Sequence, residues 1–147
     1  MAARLRLSAS QILGSVLTHR SNSASAVAVS AAVRFATDRH AYRAGEQGAV
    51  TVRNASSQIV RLNLCPRQLE QQLGDAWVVR DRSPGPGEIC ATASVLLPSG
   101  ATSGASFRLP RGLAPGMYRW RFLGLVAQGG VPLGAGERLT NSFGIEA

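Results

Sequence analysis

Between Gly116 and Phe122 the chain reads Gly-Met-Tyr-Arg-Trp-Arg-Phe, so Tyr118, Trp120 and Phe122 alternate with Arg119 and Arg121. Successive side chains of a β-strand point to opposite faces, which puts three rings on one side of a sheet and two guanidiniums on the other. A slip of one residue would bury both arginines and expose the rings, a strongly unfavourable exchange. The segment therefore predicts a strand laid over a hydrophobic core, and the rest of the chain has to supply that core.

From residue 31 onward, short apolar or alternating runs are separated by Gly, Pro, Asn and Ser, the spacing of an all-β sandwich. A first strand is expected near Ala32 to Thr37 and a connection at Ala44–Gly45. A second strand follows with Val50 and Val52 on one face. The next strand buries Val60, Leu62 and Leu64 and turns Ile59, Arg61, Asn63 and Cys65 outward. From Pro66 to Glu88 the pattern weakens; it reads as a short helical turn, a strand at Ala76 to Arg80 and a Pro-Gly loop. Further strands place Ala91, Ala93, Val95 and Leu97 on one side, carry Phe107 and Leu109, and end the chain between Arg138 and Ile145. Residues 128–137 read as a Gly-rich loop. The sum is about seven to eight antiparallel strands over residues 31–147. Tyr42, Trp77, Tyr118, Trp120, Phe122 and Phe143 are the expected large core side chains.

Composition narrows the reading. Hydrophobic residues make up 45% of the 147 and charged residues 16%, so a highly charged disordered chain is excluded. All sixteen basic residues are Arg, against eight acids, giving +8. Residues 1–34 hold Arg4, Arg6, Arg20 and Arg34 and no acid, which leaves the remaining residues with twelve Arg against eight acids and only +4. Residues 1–30 read as an N-terminal extension, flexible or weakly helical, with three readings open: a degenerate export segment, a short amphipathic or disordered extension, or an Arg- and Ser-rich transit peptide. Neither apolar run in it reaches the ~18 residues that span a bilayer, so no membrane span is expected.

Cys65 and Cys90 admit a single intramolecular pairing, which would close the weakly patterned segment and add roughly 3.5 kcal/mol by the chain-entropy estimate. Two buried free thiols and a redox or metal role are the alternatives. No CxxC is present, and His19 and His40 lie far from both cysteines in sequence, so no metal module is recognisable. GxSxG, HExxH and a nucleotide-binding glycine loop are also lacking, and a Walker lysine is impossible without lysine. Glu70, Asp75, Asp81 and Glu88 share a span with Arg67, Arg80 and Arg82 and read as solvated or loop ion pairs. No enzyme activity, cofactor or metal is expected. Nucleic acid is disfavoured because the alternation in Tyr118–Phe122 sends rings and guanidiniums to opposite faces, which denies a stacking platform beside the charge.

Several short elements then fall into a pattern: Tyr42-Arg-Ala-Gly45-Glu46, a strand ending in Asn54-Ala-Ser56, Gly74-Asp-Ala-Trp77, Leu113-Ala-Pro-Gly-Met-Tyr118, and Asn141-Ser-Phe143-Gly-Ile145. Over roughly residues 32–147 this resembles the bacterial immunoglobulin-like β-sandwich domains, and more loosely the BsuPI-type intracellular proteinase-inhibitor domains. The resemblance implies an immunoglobulin-like fold and a binding or structural role. It agrees with a tyrosine corner, in which the Tyr118 ring enters the core and its hydroxyl bonds loop backbone. The expected function is a non-enzymatic protein-binding or structural module, with a proteinase-inhibitor-like binder or a basic-surface nucleic-acid binder as alternatives. Its partner would be another protein or a second copy, met through the segments 66–89 and 128–138. A secreted or cell-envelope location, in a bacterial periplasm or at the surface, fits a disulfide; a cytoplasmic one stays open.

Overall fold

The computed structural model describes residues 32–91, 93–124 and 126–147; the expected N-terminal extension lies outside the described residues. Twelve strands run through them: β1 (Val33–Thr37), β2 (Ala41–Arg43), β3 (Gln47–Asn54), β4 (Val60–Leu62), β5 (Arg67–Leu73), β6 (Ala76–Ser83), β7 (Val95–Leu97), β8 (Thr102–Arg108), β9 (Gly116–Phe122), β10 (Val126–Gln128), β11 (Val131–Pro132) and β12 (Phe143–Glu146). They form three sheets in the orders β1-β3-β8, β11-β10-β4-β7 and β2-β12-β9-β5-β6. The fold is all-β and sandwich-like, but richer than a single sandwich of seven or eight strands.

Pairing is antiparallel except between β2 and β12, where Tyr42 lies beside Ile145 in parallel register. The chain crosses between sheets right after β1. Asp38 makes that crossing possible: its backbone N–H donates to the Ala49 carbonyl, and its carboxylate accepts from the Ala49 N–H at 2.7 Å and the Tyr42 hydroxyl at 2.6 Å. These bonds, led by the Tyr42 hydroxyl, hold the Asp38 carboxyl below its ordinary range, against the opposing effect of partial burial.

The expected register of β9 is the observed one. Tyr118, Trp120 and Phe122 are each at most 2% exposed. Phe122 stacks on Phe35 of β1 with centroids 5.0 Å apart, and Trp120 meets Phe107 of β8 at 5.3 Å, so the five-stranded and three-stranded sheets pack face to face through these rings. Tyr42 packs edge-on against both Phe107 and Phe143. Gly48 is obligatory at this junction, since a Cβ there would fall 2.5 Å from the Phe107 ring and 2.7 Å from Tyr42. The four-stranded sheet adds Val60, Leu62, Leu97 and Val126 to the same core. The Tyr118 hydroxyl donates to the Ala114 carbonyl at 2.7 Å, pinning the turn that enters β9.

Three local expectations are corrected. Residues 67–73 form strand β5, not a helical turn. Arg67 and Gln71 take inward-facing positions on either side of Leu69, so polar residues hide the period of two, while Gln, Leu and Glu carry helix propensity. The segment Ala91–Leu97 is strand only at Val95–Leu97, and only Leu97 of the expected side enters the core. Residues 128–137 are not a plain loop: they hold the turn between β10 and β11 and a 3-10 turn at Ala135–Glu137, where Glu137 accepts from the Gly134 N–H at 2.8 Å.

Cys65 and Cys90 form a disulfide with Cα atoms 5.6 Å apart. The bond sits where the chain leaves β4 for the β5–β6 hairpin and where it returns toward β7. It ties the base of that hairpin to the four-stranded sheet.

Candidate binding surfaces

The outer face of the five-stranded sheet carries the arginines of the alternating segment, and they are not free. Glu70, opposite Arg119 in register and 3% exposed, lies between the two guanidiniums. Its Oε2 accepts from Arg119 Nε and its Oε1 from Arg121 Nε, both at 2.7 Å, and Gln68 Nε2 adds a third bond at 2.9 Å. Burial pushes the Glu70 carboxyl up, but these three donors outweigh it and hold it below its ordinary range. Arg119 in turn lies 3.9 Å over the ring of Trp77. Trp77 is thus corrected from a core anchor to a half-buried lid on the outer face, reached because β6 turns this side chain away from the core. The other five expected core residues, Tyr42, Tyr118, Trp120, Phe122 and Phe143, lie in the core. The reading of Glu70 as a solvated loop carboxylate is likewise replaced by a buried one.

The outer face of the four-stranded sheet is built differently. Register aligns Leu96, Arg61, Ala127 and Pro132 across β7, β4, β10 and β11, so one row of side chains crosses the whole sheet. Together with Gln58, Ile59, Gly129 and Gly130 they line a cleft of about 610 Å³. Ile59 and Leu96 are 58% and 57% exposed, two large apolar side chains in water that the alternation of a sheet does not require. Among the described residues the cleft wall contains no carboxylate and Arg61 makes no ion pair. Gly129 permits the wall's tight turn: at φ +54° it lies in the left-handed region, and a Cβ there would fall 2.4 Å from the Gln58 amide oxygen.

Of the two segments expected to carry contacts, 128–138 contributes Gly129, Gly130 and Pro132 to this cleft, whereas most of 66–89 is the β5–β6 hairpin. Ile59 and Leu96 were not singled out by sequence reasoning. Their signal is an apolar residue on the outward side of strands whose inward side is already apolar, Ile59 beside Val60 and Leu96 beside Leu97.

His40 is exposed, and its carbonyl accepts from the Gly144 N–H. Among the described residues no three His, Cys, Asp or Glu side chains gather as metal ligands, and no helix is long and apolar enough to cross a membrane.

No protein-family model matches this sequence, and no curated protein is significantly similar to it. Solved structures with partial similarity include the alkylpurine DNA glycosylase AlkC of Pseudomonas fluorescens (15% identity over 80% of this chain and 31% of that one, TM-score 0.37). Others are the sporulation control protein Spo0M of Bacillus subtilis (17%, 79% and 50%, TM-score 0.36) and PapD-like domain 7 of human CEP192 (21%, 79% and 83%, TM-score 0.32). This chain spans less than a third of the AlkC chain. All these TM-scores lie below 0.5, and the likenesses carry no functional assignment.

Proposed function

We propose that this chain is a non-enzymatic, immunoglobulin-like protein-binding module that docks a partner in the cleft of its four-stranded sheet. The observation that carries the reading is the cleft across β7, β4, β10 and β11, in which Leu96 and Ile59 stand exposed beside Arg61. Burying Ile59 and Leu96 in a partner would contribute on the order of 1 to 2 kcal/mol each, the scale of an interface core. The lone Arg61 in that apolar wall suits a partner segment bearing a carboxylate. The immunoglobulin-like assignment is supported by the Tyr118 corner, whose hydroxyl bonds the backbone four residues upstream. Export to an oxidising compartment is supported by the Cys65–Cys90 bond.

Site-specific photo-crosslinking tests the docking face. A photoreactive residue at Ile59 should give one discrete adduct in the native host, with another protein or with a second copy, and Leu96→Asp should abolish it. The same probe at Thr51, exposed on β3, should give none; equal labelling from both positions overturns the reading. N-terminal sequencing of the protein recovered from its native compartment tests export.

A further inference from the structure

An edge strand presents one row of backbone N–H and C=O groups that its own sheet does not use, and such a row is a template for a further strand. The three sheets of this fold end in six edges: β1 and β8, β11 and β7, β2 and β6. β2, β7 and β11 are only three, three and two residues long. β6 is long but interrupted: its pairing with β5 leaves Arg80 as an extra residue between Val79 and Asp81, and three charged residues, Arg80, Asp81 and Arg82, follow one another along it. On β1 the outward Thr37 N–H is already taken by the Asn141 side-chain oxygen, at 2.9 Å. Short length, bulges, charge and covering groups are the means by which sheets keep such edges from pairing.

β8 has none of them. Its seven residues, Thr-Ser-Gly-Ala-Ser-Phe-Arg, contain no proline and no charge before Arg108, and its register with β3 is unbroken. Two bonds at the ends of that register, from the Asn54 N–H to the Ala101 carbonyl and from the Leu109 N–H to the Glu46 carbonyl, show that the odd-numbered residues of this stretch bond to the β3 side. The N–H and C=O groups of Thr102, Gly104, Ser106 and Arg108 therefore point the other way, where among the described residues no strand, turn or loop pairs with them. All four residues are exposed, and for Gly104, which has no side chain, that exposure is of the backbone itself. The Arg108 side chain leans to the Gly45 carbonyl beside β3, at 3.1 Å, away from the open edge.

Side chains decide what fits. Two β8 strands related by a two-fold axis at Ala105 set Gly104 of each against Ser106 of the other, and Thr102 against Arg108. The unused groups then meet pair by pair, in about eight hydrogen bonds. The two Arg108 positions stand six residues apart along the ribbon, roughly 20 Å, beyond the ~8–10 Å over which charges act at ordinary salt. We propose that the β8 edge is a self-association surface, on which a second copy of this chain adds its β8 antiparallel and joins the two three-stranded sheets into one. The surface lies on a different sheet from the apolar cleft and shares no residue with it. Thr51, one strand in from the edge, stays two strand spacings, about 10 Å, from the second copy.

Sedimentation equilibrium of the intact chain, from low micromolar to about 1 mM, together with residue-resolved amide exchange, is the test. A dimer mass should emerge with concentration, and exchange at Gly104 and Ser106 should slow about tenfold as it does, while β6 is unchanged. Ser106→Pro removes an N–H that β3 does not use, so it should melt close to the parent and lose the dimer; Ala105→Pro, which breaks the bonding to Val50, should unfold instead. Ser106→Lys sets two like charges diagonally across the axis and should weaken association about tenfold, and an equal mixture with Ser106→Glu should restore it. A monomer mass over the whole range overturns the proposal. So do Gly104 and Ser106 amides that exchange freely at every concentration, the behaviour of an edge reserved for another protein's strand. A folded Ser106→Pro variant that still dimerises, or a Lys–Glu mixture no tighter than Ser106→Lys alone, overturns it as well.

Discussion

The outer faces of the five-stranded and four-stranded sheets obey the same alternation and end in opposite states. On the first, Glu70 receives both Arg119 and Arg121, and Trp77 lies against Arg119, so these two charges are satisfied within the chain. On the second, Leu96 and Ile59 stand in water around an Arg61 with no counter-charge. A face that satisfies its own charges has little to gain from a partner, whereas an apolar row around an unpaired cation gains from being covered. The difference separates a face that satisfies its own charges from the face proposed for contact, although net charge alone would have pointed to the arginine-rich face.

The largest way to break this contrast is to cut the tie between the two regions. Replacing Cys65 and Cys90 by Ser should cost roughly 3.5 kcal/mol, because the bond closes a loop with a sequence separation of 25. Urea unfolding with and without reductant measures it, and the variant should ignore reductant. Next, Glu70→Ala should cost about 3 kcal/mol by leaving two partly buried guanidiniums unpaired.

Glu70 also sets a pH dependence. Its folded pKa lies below the unfolded value, so its contribution is present above about pH 4.3 and is lost as pH falls through the folded value. Acid unfolding should therefore be less steep in Glu70→Gln than in the parent chain; equal slopes would mean that Glu70 is not the carboxylate responsible.

Trp77→Ala should cost about 1 kcal/mol, removing the ring beneath Arg119 but no core volume, and thermal melting distinguishes this from the larger loss expected of a core tryptophan. Smallest in stability is Leu96→Asp on the outer face of the four-stranded sheet, which should stay within about 0.5 kcal/mol of the parent while abolishing the Ile59 crosslink. A Leu96→Asp variant as destabilised as Glu70→Ala would erase the distinction between the two faces.

Much of the architecture is legible along the chain. Tyr118, Trp120 and Phe122 announce their face because large rings alternate with full charges, and any other register is too costly. Val60, Leu62 and Leu64 do the same with aliphatic residues, and the Leu-Ala-Pro-Gly-Met-Tyr118 run places the turn that the Tyr118 hydroxyl closes. Strand β5 is not legible, since Arg67 and Gln71 occupy inward positions and are tolerated there only through Trp120 and Arg80, residues far along the chain or on another strand.

Local order therefore determined the alternation, the turns, the core rings and the all-β class, because those depend on side chains a few residues apart meeting water or core. Tertiary structure alone decided which arginines are spent. Arg119 and Arg121 are neutralised by Glu70 across 49 and 51 positions of sequence, whereas Arg61 and Arg67 have no ion pair among the described residues. Whether a charge is satisfied depends on distances of a few ångströms between strands brought together by folding, and no spacing along the chain encodes them.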